Sequence, residues 1–125
     1  MLIENNSNLI RNVFAARLAS GARVDVAELI NNRFLAVAAD SLSLFSSRVA
    51  VSDALGNGLL QRVSIPEPDW LVADDQGGLI MEHRAGYVGL AGGKVLLIGL
   101  NDARLFAGPA DALRNRDEIA RIALA

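Results

Sequence analysis

Asn8-Leu9-Ile10-Arg11-Asn12-Val13-Phe14-Ala15-Ala16-Arg17-Leu18 is the stretch on whose reading the fold class turns. Leu9, Ile10, Val13, Phe14 and Leu18 recur at helical spacing, with Asn8, Arg11, Asn12 and Arg17 mostly opposite. Ser7 supplies an N-cap and Ser20-Gly21 a stop, so the spacing predicts an amphipathic helix. A second, shorter helix is expected to start at Asp25 as cap, carry Val26, Leu29 and Ile30 inward, and end at Asn31-Asn32.

Beyond Asn32 short apolar or alternating runs follow one another between turn residues, which is the pattern of strands. The candidates are 33–39, 42–46, 48–52, 59–65, 70–73, 79–84, 86–91, 94–100 and 103–107. Ala36, Ala38 and Ala39 leave open the alternative that 33–46 prolongs the second helix. Gly56-Asn57-Gly58, Gly77-Gly78, Gly92-Gly93 and Asn101-Asp102 are suited to hairpin turns, and Pro66 and Pro68 break the run at 65–69. Val95-Leu96-Leu97-Ile98 has no polar face and belongs in the middle of a sheet or inside a barrel. In 59–65, by contrast, Val63 and Ile65 alternate with Arg62 and Ser64, as in a half-exposed strand.

Gly108-Pro109 opens a closing helix, with Asp111 near its positive end, Leu113, Ile119, Ile122 and Ala123 inward, and Asp117 paired with Arg121. Arg114-Asn115-Arg116 is a candidate interruption of that helix. The expected fold is therefore α+β: N-terminal helices, a bent antiparallel β-sheet or partial barrel of short hairpin-connected strands, and a C-terminal helix. It forms one domain over residues 1–125. No internal repeat is visible in the sequence.

Composition narrows the function more by exclusion than by assignment. Apolar residues make up 52% and charged residues 21%, with a net charge of −2, as in a globular domain able to bury a core. The absence of cysteine removes disulfides, thiolate nucleophiles and cysteine-ligated zinc. One histidine is too few for a usual catalytic zinc or copper site, and Asp74-Asp75-Gln76-Gly77-Gly78 lacks the spacing of a calcium loop. No metal or other cofactor is expected. Eleven of the twelve basic residues are arginine, scattered from Arg11 to Arg121, so no phosphate-tracking stripe forms and no nucleic acid is expected as partner. The glycine string from Gly86 to Lys94 is followed by Val95 where a phosphate loop needs Ser or Thr, and it opens no helix. No serine lies in a nucleophile elbow. Apolar runs are short and the opening Met1-Leu2-Ile3-Glu4-Asn5-Asn6-Ser7 has no signal-peptide pattern, so a cytoplasmic address without membrane contact is expected.

Rare amphipathic side chains gather in one region: Trp70, His83 and Tyr87 are each the sole residue of their type. About a turn at 74–78, Trp70 is placed across from Glu82 or His83, and about a turn at Arg84-Ala85-Gly86, His83 is placed near Tyr87. These three and Arg84 are the candidate ligand contacts, an imidazole, a phenol and an indole offering hydrogen bonds and flat apolar walls. The expected function is a noncatalytic small-molecule or protein-binding/assembly domain, self-associating as a homo-oligomer, its ligand a small organic molecule or a protein segment. The alternative is a small cofactor-independent enzyme with His83 as general acid or base, Asp69 or Glu82 orienting it, and Tyr87 or Arg84 polarising substrate. An accessory protein of a mobile element has the same composition.

Overall fold

The computed structural model describes residues 9–53, 55–65 and 78–124. They form two five-stranded antiparallel meanders in which each strand pairs with its neighbour in sequence. The first comprises β1 (Ile10–Arg17), β2 (Arg23–Leu29), β3 (Phe34–Val37), β4 (Ser41–Phe45) and β5 (Leu59–Ser64). The second comprises β6 (Ile80–Arg84), β7 (Tyr87–Leu90), β8 (Val95–Ile98), β9 (Asp102–Phe106) and β10 (Ala120–Ala123). Short 3-10 helices at Val49–Ser52 and Ala91–Gly93 and one α-helix, α1 (Pro109–Arg114), complete the fold. The protein is thus mostly β, and the α+β expectation with N-terminal and C-terminal helices is overturned. The sheets are separate and share a core, which replaces the single bent sheet or partial barrel.

The N-terminal error has a physical cause. Each sheet has buried apolar residues on both faces, and β1 carries a bulge between Ile10 and Asn12. Ile10 and Val13 face the core between the sheets, whereas Phe14, Ala16 and Leu18 pack on the outer face of the first sheet. The bulge shifts the phase of alternation, so apolar residues fall at helical spacing on an extended chain. β2 has the same property: Val24 and Val26 lie outward, Ala27 and Leu29 inward. Asp25, read as a helix cap, is instead a strand residue only 6% exposed.

The C-terminal error arises from shortness. α1 stops at Asn115, whose φ of 51° and ψ of 50° are left-handed, and Asp117 is left-handed too. Ala120, Ile122 and Leu124 are then buried and Arg121 and Ala123 exposed, a period of two. Arg121 pairs with Glu118 and Asp102 instead of Asp117, and Leu113 is 83% exposed rather than inward. The stretch 48–52, expected as strand, holds the first 3-10 helix. The cap at Ser7, the strand 70–73, the turn at Gly77-Gly78 as a whole, and Asp69, Trp70, Asp74 and Asp75 lie outside the described residues.

Residues from both sheets build the main core, among them Leu35, Leu42, Leu44, Leu96, Leu105 and Ile122. Each outer face then needs its own cover. In the first sheet the chain between β4 and β5 brings Ala50 and Val51 down onto Val24, Val26, Ala36 and Phe45. In the second, the chain between β9 and β10 brings Ala112 of α1 onto Val95 and Phe106.

The two meanders are copies of one plan. The bulge in β1 recurs in β6, between Ile80 and Glu82, opposite the same pair of positions on the next strand. Leu29 N–H donates to Arg33 O at 2.9 Å, and Leu90 N–H to Lys94 O at 2.8 Å. Ile30 N–H donates to Leu9 O at 3.1 Å, and Ala91 N–H to Leu79 O at 2.8 Å. Ile65 N–H donates to Asp40 O, and Leu124 N–H to Asn101 O. The contact between the halves is reciprocal as well. Asp25 Oδ2 accepts from the N–H groups of Leu79 and Ile80 at 2.6 and 2.8 Å, while its counterpart Gly86 abuts Leu9, the counterpart of Leu79. A relation in which i meets j and j meets i is that of two subunits about a two-fold axis, here within one chain.

Replacing Asp25 by Ala leaves two N–H groups without their acceptor and is expected to cost on the order of 2–4 kcal/mol, read as a lower urea midpoint. Gly86 has φ +91°, and a Cβ there would lie 2.5 Å from Ile98 O. Gly86→Ala is therefore expected to lower the midpoint well beyond Gly93→Ala, where φ is also positive but no atom lies within 4 Å.

Candidate functional site

The residues expected to form a site do not come together. In β6 and β7, Arg84 pairs with Tyr87 and His83 with Val88. Val88 belongs to the core between the sheets, so His83 is on that side, exposed on an edge strand. Tyr87 is on the opposite side, half-buried against Val95, Phe106 and Ala112. Glu82 shares the Tyr87 face, because a Cβ added to Gly89 would lie 2.9 Å from Glu82 Cγ. His83 and Glu82 thus point to opposite sides of one sheet. The structure joins Arg84, Tyr87 and Glu82 on the outer face and separates His83 from them; Trp70 and Asp69 fall outside the described residues. Among the described residues no three His, Asp or Glu side chains form a metal-holding group, and no helix is long and apolar enough to cross a membrane.

Beside Tyr87 the outer face of the second sheet is occupied by ion pairs. Leu97, Arg104 and Arg121 continue its row, strand by strand. Arg104 donates through Nη1 to Asn115 Oδ1, and its Nε lies 3.7 Å from Asp102 Oδ1. Glu118, hydrogen-bonded to Arg121, and Asp102 hold the Arg121 guanidinium above its ordinary value. These side chains are engaged with one another, although the buried Arg104 Nε makes no hydrogen bond among the described residues, and Ala112 of α1 packs on Val95 and Phe106 beside them.

The equivalent face of the first sheet is different, and the difference traces to one insertion. The pair Arg84↔Tyr87 is closed by Ala85 and Gly86 alone, whereas the equivalent pair Phe14↔Val26 is closed by residues 15–25. The extra hairpin extends beyond the sheet and is held by Leu18 N–H to Ala22 O at 2.9 Å and Arg17 Nη1 to Gly21 O at 2.9 Å. Between this hairpin and the chain linking β4 to β5 lies a cavity of about 410 Å3. Leu18, Phe45, Val51 and Leu59 line it with apolar surface, and Asp40, Ser41, Asp53, Arg62 and Ser64 with polar groups. A volume of this order suits a small organic molecule.

Strand register arranges the polar wall. Ser41 is opposite Ser64, and Ser43 opposite Arg62, all on the outer face. Arg62 Nε donates to the buried Ser43 hydroxyl at 3.0 Å, which anchors the guanidinium. Among the described residues its terminal nitrogens have no hydrogen-bond partner, so they are available to a ligand. Asp53 Oδ1 accepts from Leu55 N–H at 2.9 Å, leaving Oδ2 for another donor.

The opposite wall is a lid, the chain 48–53, whose Ala50 and Val51 are buried on the sheet and whose rim is held by two side-chain ties. Arg48 lies over the Phe14 ring at 4.0 Å, and Ser52 Oγ donates to Arg17 O at 2.6 Å. Phe14 is itself edge-on to Phe34, with centroids 6.4 Å apart. A second, smaller recess of about 160 Å3 is lined mainly by Leu9, Leu29, Ile98, Leu100 and Leu124 and has no charged group.

Sequence reasoning missed this cavity because its walls are far apart in sequence and each was read as something else. Ser20-Gly21 looked like a helix stop and 48–52 like a strand. The alternation of Arg62 and Ser64 with Val63 and Ile65 was the one available signal of its polar wall. Compared with known proteins, the chain matches no family model, no curated protein and no solved structure.

The double variant Arg48→Ala, Ser52→Ala is expected to open the lid locally. Hydrogen exchange at the Val51 and Asp53 amides, which donate to Arg48 O and Ala50 O, should accelerate by about tenfold or more. Exchange in β8 and β9 should be unaffected.

Proposed function

We propose that this protein is a noncatalytic binding domain whose ligand is a small organic molecule held in the cavity of the first sheet. The observation that carries this reading is the cavity's dependence on the inserted hairpin. The second meander covers the same outer face with a two-residue turn and α1, so covering that face does not require the hairpin tip. What it adds is a walled space with an anchored guanidinium, two paired serines and an apolar floor. The wall is divided between apolar side chains and a group of charged and hydroxyl side chains, so a ligand there can be both oriented and buried.

The assembly branch of the earlier expectation draws less support. Self-association through sheet edges would use the strands at the ends of the meanders, and the bulges in β1 and β6 work against edge-to-edge pairing. The enzymatic alternative would need an orienting carboxylate for His83 other than Glu82, from which the sheet separates it. Leu59→Trp is expected to fill the cavity and abolish a mass increment seen on the untagged protein by native mass spectrometry, with the unfolding free energy lowered by no more than about 3 kcal/mol. A bound mass that survives Leu59→Trp would place the ligand elsewhere.

A further inference from the structure

We infer that the cavity's ligand is a small zwitterion, an α-amino acid with an apolar side chain; this rests on the cavity being the ligand site. The argument begins from the charges of the lining, one guanidinium and two carboxylates: Arg62, Asp40 and Asp53. A simple anion would meet Arg62 but also two carboxylates, and a simple cation would leave the guanidinium unmatched. A molecule carrying both charges close together satisfies both sets.

The donors are grouped. Arg62 and Ser64 are two apart on one strand and therefore share a face, and Ser41 is directly opposite Ser64. A guanidinium flanked by two hydroxyls is a carboxylate receptor, since every group in it can donate and the guanidinium binds two oxygens at once. The Ser43 hydroxyl occupies Nε, which leaves the terminal nitrogens as the contacts. The acceptors come from elsewhere. Asp53 belongs to the lid, and one of its oxygens is held by Leu55 N–H while the other is left to accept from an ammonium; Asp40, in the turn just before β4, adds a second carboxylate. Between them Leu18, Phe45, Val51 and Leu59 provide apolar surface for a side chain. The volume of about 410 Å3 accommodates a molecule of that size together with some water.

The test compares three probes sharing one apolar body: phenylalanine, its amine phenethylamine, and its deaminated acid 3-phenylpropionate. Binding is followed through the amide shifts of Val51 and Leu59 in the full chain. Phenylalanine is expected to bind at least about tenfold more tightly than either single-charge analogue, since each loses a charged hydrogen-bond set. Arg62→Gln should erase the advantage of phenylalanine over the amine, and Asp53→Asn its advantage over the acid. Equal binding of phenylalanine and either analogue overturns the zwitterion while leaving the cavity as a site. The same holds if uncharged phenylpropanol shifts these amides and phenylalanine does not. If none of the four compounds moves the Val51 and Leu59 amides, the zwitterion and the cavity reading fall together. Arg62 and Asp53 lie outside the core, and circular dichroism of the two variants confirms that a lost response is not lost folding.

Discussion

The carboxylate of Asp25 is the tie on which the arrangement of the two sheets depends. It lies in β2, almost wholly buried, and receives the first N–H groups of β6 from the other meander. Hydrophobic contact between two sheets has no direction of its own and tolerates sliding. A carboxylate that must find two particular N–H groups does not, because a slip would leave both donors and the charge unsatisfied in a dry place. Arg23, 3.2 Å from Asp25 Oδ1, balances the charge from the rim. The apolar core supplies most of the attraction, and Asp25 selects one placement from those the core would accept.

Each sheet carries apolar residues on both faces, the inner against the other sheet and the outer against its own covering segment, and this limits what the sequence reveals. Where one face is wet, alternation is plain: 59–65 reads as a strand because Arg62 and Ser64 face out, and the structure has β5 there. Where both faces are covered, alternation vanishes. Val95-Leu96-Leu97-Ile98 is legible only because four consecutive apolar residues have no helical explanation in so short a run. β1 is not legible, because a bulge at its start and apolar demands on both sides imitate a helix. β10 was lost for a related reason: α1, Asn115 and the strand follow so closely that one apolar count covers them all. The candidate site fared worst. Grouping Trp70, His83 and Tyr87 by rarity ignored the strand parity that sets His83 and Tyr87 on opposite faces.

The common plan of the two halves isolates the features that give one of them a cavity. Two copies of a meander first satisfy the same requirements: a shared core, a blunted edge, and a cover for the outer face. What differs between the two halves lies on top of that common plan. Asp25 against Gly86 is one such difference, residues 15–25 against Ala85 and Gly86 another, and the 3-10 cover against α1 a third. They are adjacent in the first half, so the tie between the sheets and the wall of the cavity lie in one region. The sequence does not display the likeness, since register and hydrogen bonds match where side chains differ, as with Val26 and Tyr87 at equivalent places.

The strictly sequential pairing of the strands bears on how the chain reaches this state. Every ladder joins neighbours, so each turn closes a short segment and little chain entropy is lost before contacts begin to form. Sandwiches with crossed connections must bring distant strands together early and fold slowly in consequence. Here each meander can zip hairpin by hairpin, and the step spanning the greatest separation is the docking of one finished half on the other. That step is the one at which Asp25 meets its partners across 54 positions of chain. A polar contact formed so late would slow unfolding when present and leave the folding rate nearly unaltered when removed.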